Sequence, residues 1–267
     1  MNFYKLVYDR AEAIISDRGA YLFSFRLDGL DVILRGTERP TRGGMALLVP
    51  FANRVKNGRY LWKGKAYQLP LGRDGNAIHG LILYKEFQVT RLTPNSIELE
   101  TEIRDPGYPS ILALIVKYTL TDSISVDMKI RNVGEEEAPL IVGSHPYFLV
   151  QGSWKISPNA GKRLIMKENI PTGEMEDFII SEGKYDDCFY LPGDVTLSSK
   201  YSEVRISKPG MDYVQLYTGV EGAVAVEPMS GAPDGYNNGI GLRVLGASES
   251  ESYHFSIQSV QVRSQIS

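Results

Sequence analysis

The chain has 267 residues, of which 43% are hydrophobic and 23% charged, a balance that can bury a sizeable core and is not that of a disordered chain. A net charge of -3 with no lysine- or arginine-rich block disfavours a phosphate-backbone partner, so no nucleic acid is expected. The single cysteine, Cys188, excludes an internal disulfide and any cysteine-based zinc site.

Residues 1–16 alternate apolar and charged residues without a continuous apolar stretch. Neither a signal peptide nor a membrane span is expected there, and the expected location is cytoplasmic. Phe23, Phe25 and Leu27 alternate with Ser24, Arg26 and Asp28, the pattern of a half-buried strand. Asp28-Gly29 can supply the positive φ of a tight hairpin joining residues 23–27 to 30–34, and Asn57-Gly58 does the same between residues 53–55 and 59–62. Ile97, Leu99 and Ile103 alternate with Glu98, Glu100, Glu102 and Arg104. The continuous apolar run 111–116 predicts a strand covered on both faces. Ile124, Val126, Met128 and Ile130 alternate with Ser125, Asp127, Lys129 and Arg131. In the last strand Tyr253, Phe255 and Ile257 are in phase but Val260 and Val262 are one residue out, which predicts a β-bulge near Gln258-Ser259. No long 3.6-residue stripe, repeat or linker interrupts this pattern. The chain therefore reads as a single all-β domain over residues 1–267, a large sandwich or barrel without helices.

Three histidines are present. His254 falls on the polar face of the last strand and reads as a surface residue. His145 stands in Gly143-Ser144-His145-Pro146-Tyr147-Phe148. The following proline holds it in extended geometry at a strand end or bend, beside two aromatics. An imidazole so held can give and take a proton near neutral pH; the plainer reading is a packed core histidine. His79 ends the polar, glycine-rich loop 72–80, where Gly80 permits close approach of a ligand or another backbone; the plainer reading is an exposed loop residue.

Glu227 ends the apolar run Ala223-Val224-Ala225-Val226. Burial there would raise its pKa and make it a stronger base, unless it is paired with Arg54 or Arg243. Asp186 and Asp187, between Tyr185 and Phe189, suit either a turn or a hydroxyl-binding carboxylate beside a stacking ring. Sixteen tyrosines against two tryptophans fit pleated sheets and also sugar sites, where a ring face and a hydroxyl are both useful. No H-E-x-x-H, P-loop or G-x-G-x-x-G pattern occurs, so neither a metal nor a nucleotide cofactor is expected. Together, two histidines, two carboxylates and an arginine ringed by aromatics suit a polyol.

Four stretches of the chain resemble the aldose 1-epimerase (mutarotase) family. They are Pro50-Phe51-Ala52-Asn53-Arg54 continuing to Asn76-Ala77-Ile78-His79-Gly80, then His145-Pro146-Tyr147-Phe148, then Asp186-Asp187-Cys188-Phe189, and lastly Glu227-Pro228-Met229 with Pro233-Asp234 and Asn237. The resemblance implies a galactose mutarotase-like antiparallel supersandwich with an open sugar-binding cleft. It makes His145 the general acid and Glu227 the general base, with Arg54, His79, Asp186 and Asn53 on the sugar hydroxyls. Asp186 is chosen over Asp187 because it stands three residues before Phe189. The implied partner is a small sugar, a hexose such as glucose or galactose, and no cofactor is called for. Anomer exchange needs one proton taken from the C1 hydroxyl and one delivered to the ring oxygen, which an acid and a base on opposite sides of the hemiacetal can do. Three other readings stay open: a hexose-6-phosphate epimerase in which Arg73 and Lys85 reach the phosphate, a glycoside hydrolase using Glu227 and Asp186, and a sugar-binding module without turnover.

Overall fold

The computed structural model describes residues 1–263. Two antiparallel sheets carry most of the regular structure. The larger has eleven strands, ten of them in the order Phe3–Tyr8, Ala11–Ser16, Tyr21–Leu27, Met45–Leu48, Gly143–Leu149, Ala223–Met229, Tyr213–Tyr217, Asp186–Tyr190, Ala160–Lys167, Ile170–Ile179. The eleventh, Leu30–Asp31, pairs to one side of Tyr21–Leu27. The second sheet has eight, from Gln88–Thr93 through Ser96–Ile103, Leu112–Leu120, Ser123–Asn132, Ser250–Val262, Ser202–Ser207 and Val195–Ser199 to Trp154–Ser157. The expected supersandwich is the architecture that forms.

The main core lies between the sheets. Leu47, Phe148, Val224 and Val226 from the large sheet meet Leu114, Val126 and Phe255 from the other, all at most 1% exposed. Each such side chain contributes roughly 1.5–3 kcal/mol on burial. Because successive strand residues point to opposite faces, packing Phe148, Val224 and Val226 inward turns His145, Tyr147, Ala225 and Glu227 to the other face. Two smaller apolar clusters lie away from the main core. One contains Ala46, Leu48, Cys188 and Met229, the other Tyr147, Ala223 and Ala225.

Several local expectations need correction. Phe23 is out of phase with Phe25: the pairing slips between Ile14 opposite Ser24 and Ile15 opposite Leu22, so Ser24 is buried, Phe23 is half-buried, and Leu22 takes the inward position. Asp28 and Gly29 do form the positive-φ hairpin, but its second strand is only Leu30–Asp31. Asn57 and Gly58 also have positive φ, yet the flanking strands do not pair with each other. Arg54–Val55 pairs with Ala77–Ile78, and Arg59–Trp62 with Lys65–Gln68. The run 111–116 is fully buried on one face only; Leu112, Leu114 and Val116 are covered while Ala113 and Ile115 are half-exposed. The bulge in the last strand falls one residue late, between Ser259 opposite Val204 and Gln261 opposite Glu203, and it expels Val260. Helix is not wholly absent. One α-turn, Gly235–Asn238, follows Asp234, whose carboxylate accepts from Asn237 Nδ2 at 2.7 Å; a single turn is too short to leave a periodic signal.

Candidate active site

His145 lies inside the strand Gly143–Leu149, not at its end, and Glu227 inside Ala223–Met229. The two strands are neighbours in the middle of the large sheet, with Gly143 opposite Met229 and Tyr147 opposite Ala225. That register sets His145 across from Glu227. The ladder between them is interrupted there, where Pro146 and Pro228 have no N–H to donate. On the far side of Glu227 stands Gln215, and beyond Gln215 stands Cys188. Directly opposed residues share a face, so His145, Glu227 and Gln215 form one row across three strands.

His145 Nε2 lies 3.3 Å from Glu227 Oε1, with the side chains only 6% and 2% exposed. Neither Arg54 nor Arg243 neutralises Glu227: Arg54 donates to Asp74 at 2.7 Å, and Arg243 to Glu251 at 2.8 Å. Burial pushes the Glu227 carboxyl well above the usual carboxylate range, and the charge of Asp186 adds to the effect while Arg54 opposes it. Burial pushes the His145 imidazole well below its usual value, with His79 and Arg42 acting in the same direction. Both shifts favour uncharged forms, so the pair holds a single proton between two adjacent groups, and its titration belongs to the pair.

The other expected site residues converge on the same place by different routes. Arg54–Val55 pairs with Ala77–Ile78, which brings His79 beside Arg54. The His79 N–H donates to the Asn53 carbonyl at 2.9 Å, and both residues adopt positive φ, a conformation that Asn tolerates better than most residues do. Gly80 is required by backbone packing: a Cβ there would lie 2.4 Å from the Val49 carbonyl oxygen. The His79 ring sits edge-on to that of His145, centroids 5.2 Å apart, and its pKa is pushed down to about 3, by burial first and then by Arg54.

Asp186 belongs to a strand, Asp186–Tyr190, and not to a turn. It lines the cleft, and its Oδ1 accepts from Gln215 Nε2 at 2.7 Å. Asn53 is 2% exposed and reaches the cleft wall. His254 is a surface residue, its Nδ1 lying 2.7 Å from Asp127 Oδ1.

The cleft over these residues has a volume of about 830 Å³, within the ~300–1,000 Å³ of small-molecule sites. Tyr147 stacks on His145 at 4.8 Å and 25°, and its hydroxyl donates to the Thr41 carbonyl at 2.7 Å. Arg73 and Lys85 line the cleft farther out. Of the nine buried side-chain polar atoms without a partner among the described residues, four belong to residues that line the cleft: His145 Nδ1, Glu227 Oε2, His79 Nδ1 and Gln215 Oε1. Buried polar atoms are normally paired, so four without a partner on the residues of one cleft are capacity that a polar ligand could satisfy. Among the described residues no three His, Cys, Asp or Glu side chains are grouped as a metal would need.

The adjacency of His145 and Glu227 corrects the expectation that acid and base stand on opposite sides of the hemiacetal. At 3.3 Å they touch, and no ring fits between them. The geometry still suits the chemistry, because the C1 hydroxyl oxygen and the ring oxygen are bonded to one carbon, so the groups that serve them must be neighbours. Sequence reasoning missed three further residues that line the cleft, Gln215, Tyr217 and Arg42. The alternation Tyr213-Val214-Gln215-Leu216-Tyr217 offered a signal for the first two; Arg42 sits in a loop with none.

A family model described as Aldose 1-epimerase matches residues 4–258. The uncharacterized protein YihR of Escherichia coli (strain K12) is 29% identical over 92% of this chain and 89% of its own. Galactose mutarotase of Homo sapiens is 28% identical over 65% of this chain and 61% of its own. The structure of a galactose mutarotase related enzyme from Lactobacillus acidophilus superposes with a TM-score of 0.84 at 18% identity, covering 100% of both chains. No helix among the described residues is long and apolar enough to cross a membrane.

Proposed function

The chain belongs to the aldose 1-epimerase family, and on that premise we propose that it interconverts the α and β anomers of a free aldose, with His145 as general acid and Glu227 as general base. Burial favours a carboxylic acid beside a neutral imidazole, so the shared proton first passes from Glu227 to His145 across their contact. Glu227 then takes the proton of the C1 hydroxyl while His145 delivers one to the ring oxygen, and the C1–O5 bond opens. The aldehyde turns about C1–C2, and closure with the two roles exchanged gives the other anomer. Protons balance at every stage, because the pair enters and leaves with one. Arg54, His79, Asp186 and Asn53 hold the ring hydroxyls above the pair, and Tyr147 keeps the His145 ring in orientation. A cytoplasmic setting goes with this reading, since a single buried cysteine makes no demand on an oxidising compartment.

The observation that carries the proposal is the 3.3 Å contact of a buried imidazole and a buried carboxyl at the floor of a polar cleft. A two-carboxylate hydrolase has no use for that imidazole. Polarimetry on freshly dissolved α-D-glucose and α-D-galactose tests the proposal directly. His145→Asn lowers the catalysed rate by at least ~10²-fold; a variant that keeps more than a tenth of the rate removes His145 from the chemistry. Arg73 and Lys85 at the cleft mouth favour one second reading, a phosphorylated hexose, which comparison of glucose with glucose 6-phosphate separates from the first.

A further inference from the structure

The two arginines that bracket the catalytic pair are not equivalent. Arg54 is committed to Asp74 at 2.7 Å. Among the described residues Arg42 forms no ion pair with a carboxylate. Its one side-chain bond runs from Nη1 to the Tyr217 hydroxyl at 2.9 Å, leaving the rest of the guanidinium fork free. Both residues line the cleft. Arg42 is close enough for its charge to depress both His79 and His145.

Tyr217 is held firmly for a half-exposed residue. Tyr147 meets its ring edge-on at 6.4 Å and 80°, and His145 at 6.4 Å and 77°. The ring also folds back over Gly219, where a Cβ would come within 2.1 Å of the hydroxyl oxygen. Because that oxygen accepts from Arg42, the tyrosine keeps its own proton to donate. An aromatic hydroxyl fixed on three sides and a free guanidinium beside it present several donors in a set geometry. That geometry suits an oxygen acceptor on the ligand.

We propose that Arg42 and Tyr217 form a specificity-determining arm that binds one ring hydroxyl other than the anomeric one, and so discriminates aldoses by configuration at that carbon. The inference rests on the epimerase reading. It goes beyond that reading because anomer exchange itself needs only the C1 hydroxyl and the ring oxygen, so a sugar lacking any other hydroxyl can still react and reports binding alone.

The test is polarimetry with a parent hexose and with deoxy sugars that each lack one non-anomeric hydroxyl, on the unchanged protein and on Arg42→Ala, Tyr217→Phe and Gly219→Ala. Each variant is expected to lower kcat/KM for the parent by roughly tenfold or more, the scale of a hydrogen bond to a charged group, mainly through KM. Gly219→Ala acts by displacing the Tyr217 ring. One deoxy sugar should show a comparable loss with the unchanged protein and no further loss with the variants. A uniform loss across all the sugars, or no loss at all, overturns the arm while leaving the epimerase reading intact. Absence of turnover of any aldose by the unchanged protein removes both. Thermal denaturation of Arg42→Ala, a change at an exposed side chain, checks that the fold is untouched.

Discussion

Replacing Glu227 with glutamine separates its proposed catalytic role from its effect on stability, because the two predictions have opposite signs. The side chain is 2% exposed, and burial raises its pKa well above the usual range. Loss of the base lowers the mutarotation rate by at least ~10²-fold. Stability moves the other way. A carboxyl whose folded-state pKa exceeds its unfolded value supports the fold fully below the unfolded value, 4.5, and that support is lost as pH rises through the folded value. Each pKa unit of elevation is about 1.4 kcal/mol. Glutamine has no charge to desolvate, so the variant should be at least as stable as the unchanged protein near neutral pH. The gain in Tm should be about 2–4 °C per kcal/mol and should vanish at low pH. Polarimetry and thermal scans at several pH values read both effects. A variant that retains more than a tenth of the rate, or whose Tm falls increasingly below that of the unchanged protein as pH rises, would refute the reasoning.

Two further outcomes follow from the same site. The pH–rate profile should be bell-shaped, since only the singly protonated pair has one group to give and one to take a proton. Its acid limb should lie below the ordinary imidazole value and its basic limb above the ordinary carboxylate value; a rate that rises monotonically with pH excludes the pair. Gly80→Ala forces a Cβ to 2.4 Å from the Val49 carbonyl at a φ of 78°. It should cost at least about 2 kcal/mol and lower Tm by at least about 4 °C; an unchanged Tm means that Val49 can move aside.

Strand phase was legible where a regular alternating strand packs one face on the main core. The alternation at 97–103 and 124–130 follows directly from burial with period two. It failed where register slips. Phe23 changes sides because its strand bulges against Ile14 and Ile15, and nothing local to Phe23 records the partner's spacing. The Asn57-Gly58 turn was correct as backbone geometry and wrong as a pairing. Whether Arg54–Val55 pairs with residues 59–62 or with Ala77–Ile78 depends on which edge is free after folding.

The site divides in the same way. Residue type and local context made His145, Glu227, His79 and the Asp186-Asp187 pair candidates, because a histidine before proline, a carboxylate in an apolar run and aspartates beside aromatics stand out against a β background, but each kept a structural alternative. The choice of Asp186 and the assignment of roles came from the resemblance to the aldose 1-epimerase family. The contact between His145 and Glu227 depends on the middle strands of one sheet coming together from 82 positions apart, with Gly143 against Met229 as the register. The same register puts Gln215 between Glu227 and the strand that carries Asp186, so its amide can hold that carboxylate. Where no bulge intervenes, periodicity along the chain determines which face a strand residue takes, because alternation is a property of the strand's own backbone. Which strands become neighbours, and how far each slides along the next, is decided by the packing of the whole sandwich. The contact between this histidine and this glutamate, on which the proposed proton transfer depends, is made by the tertiary structure alone.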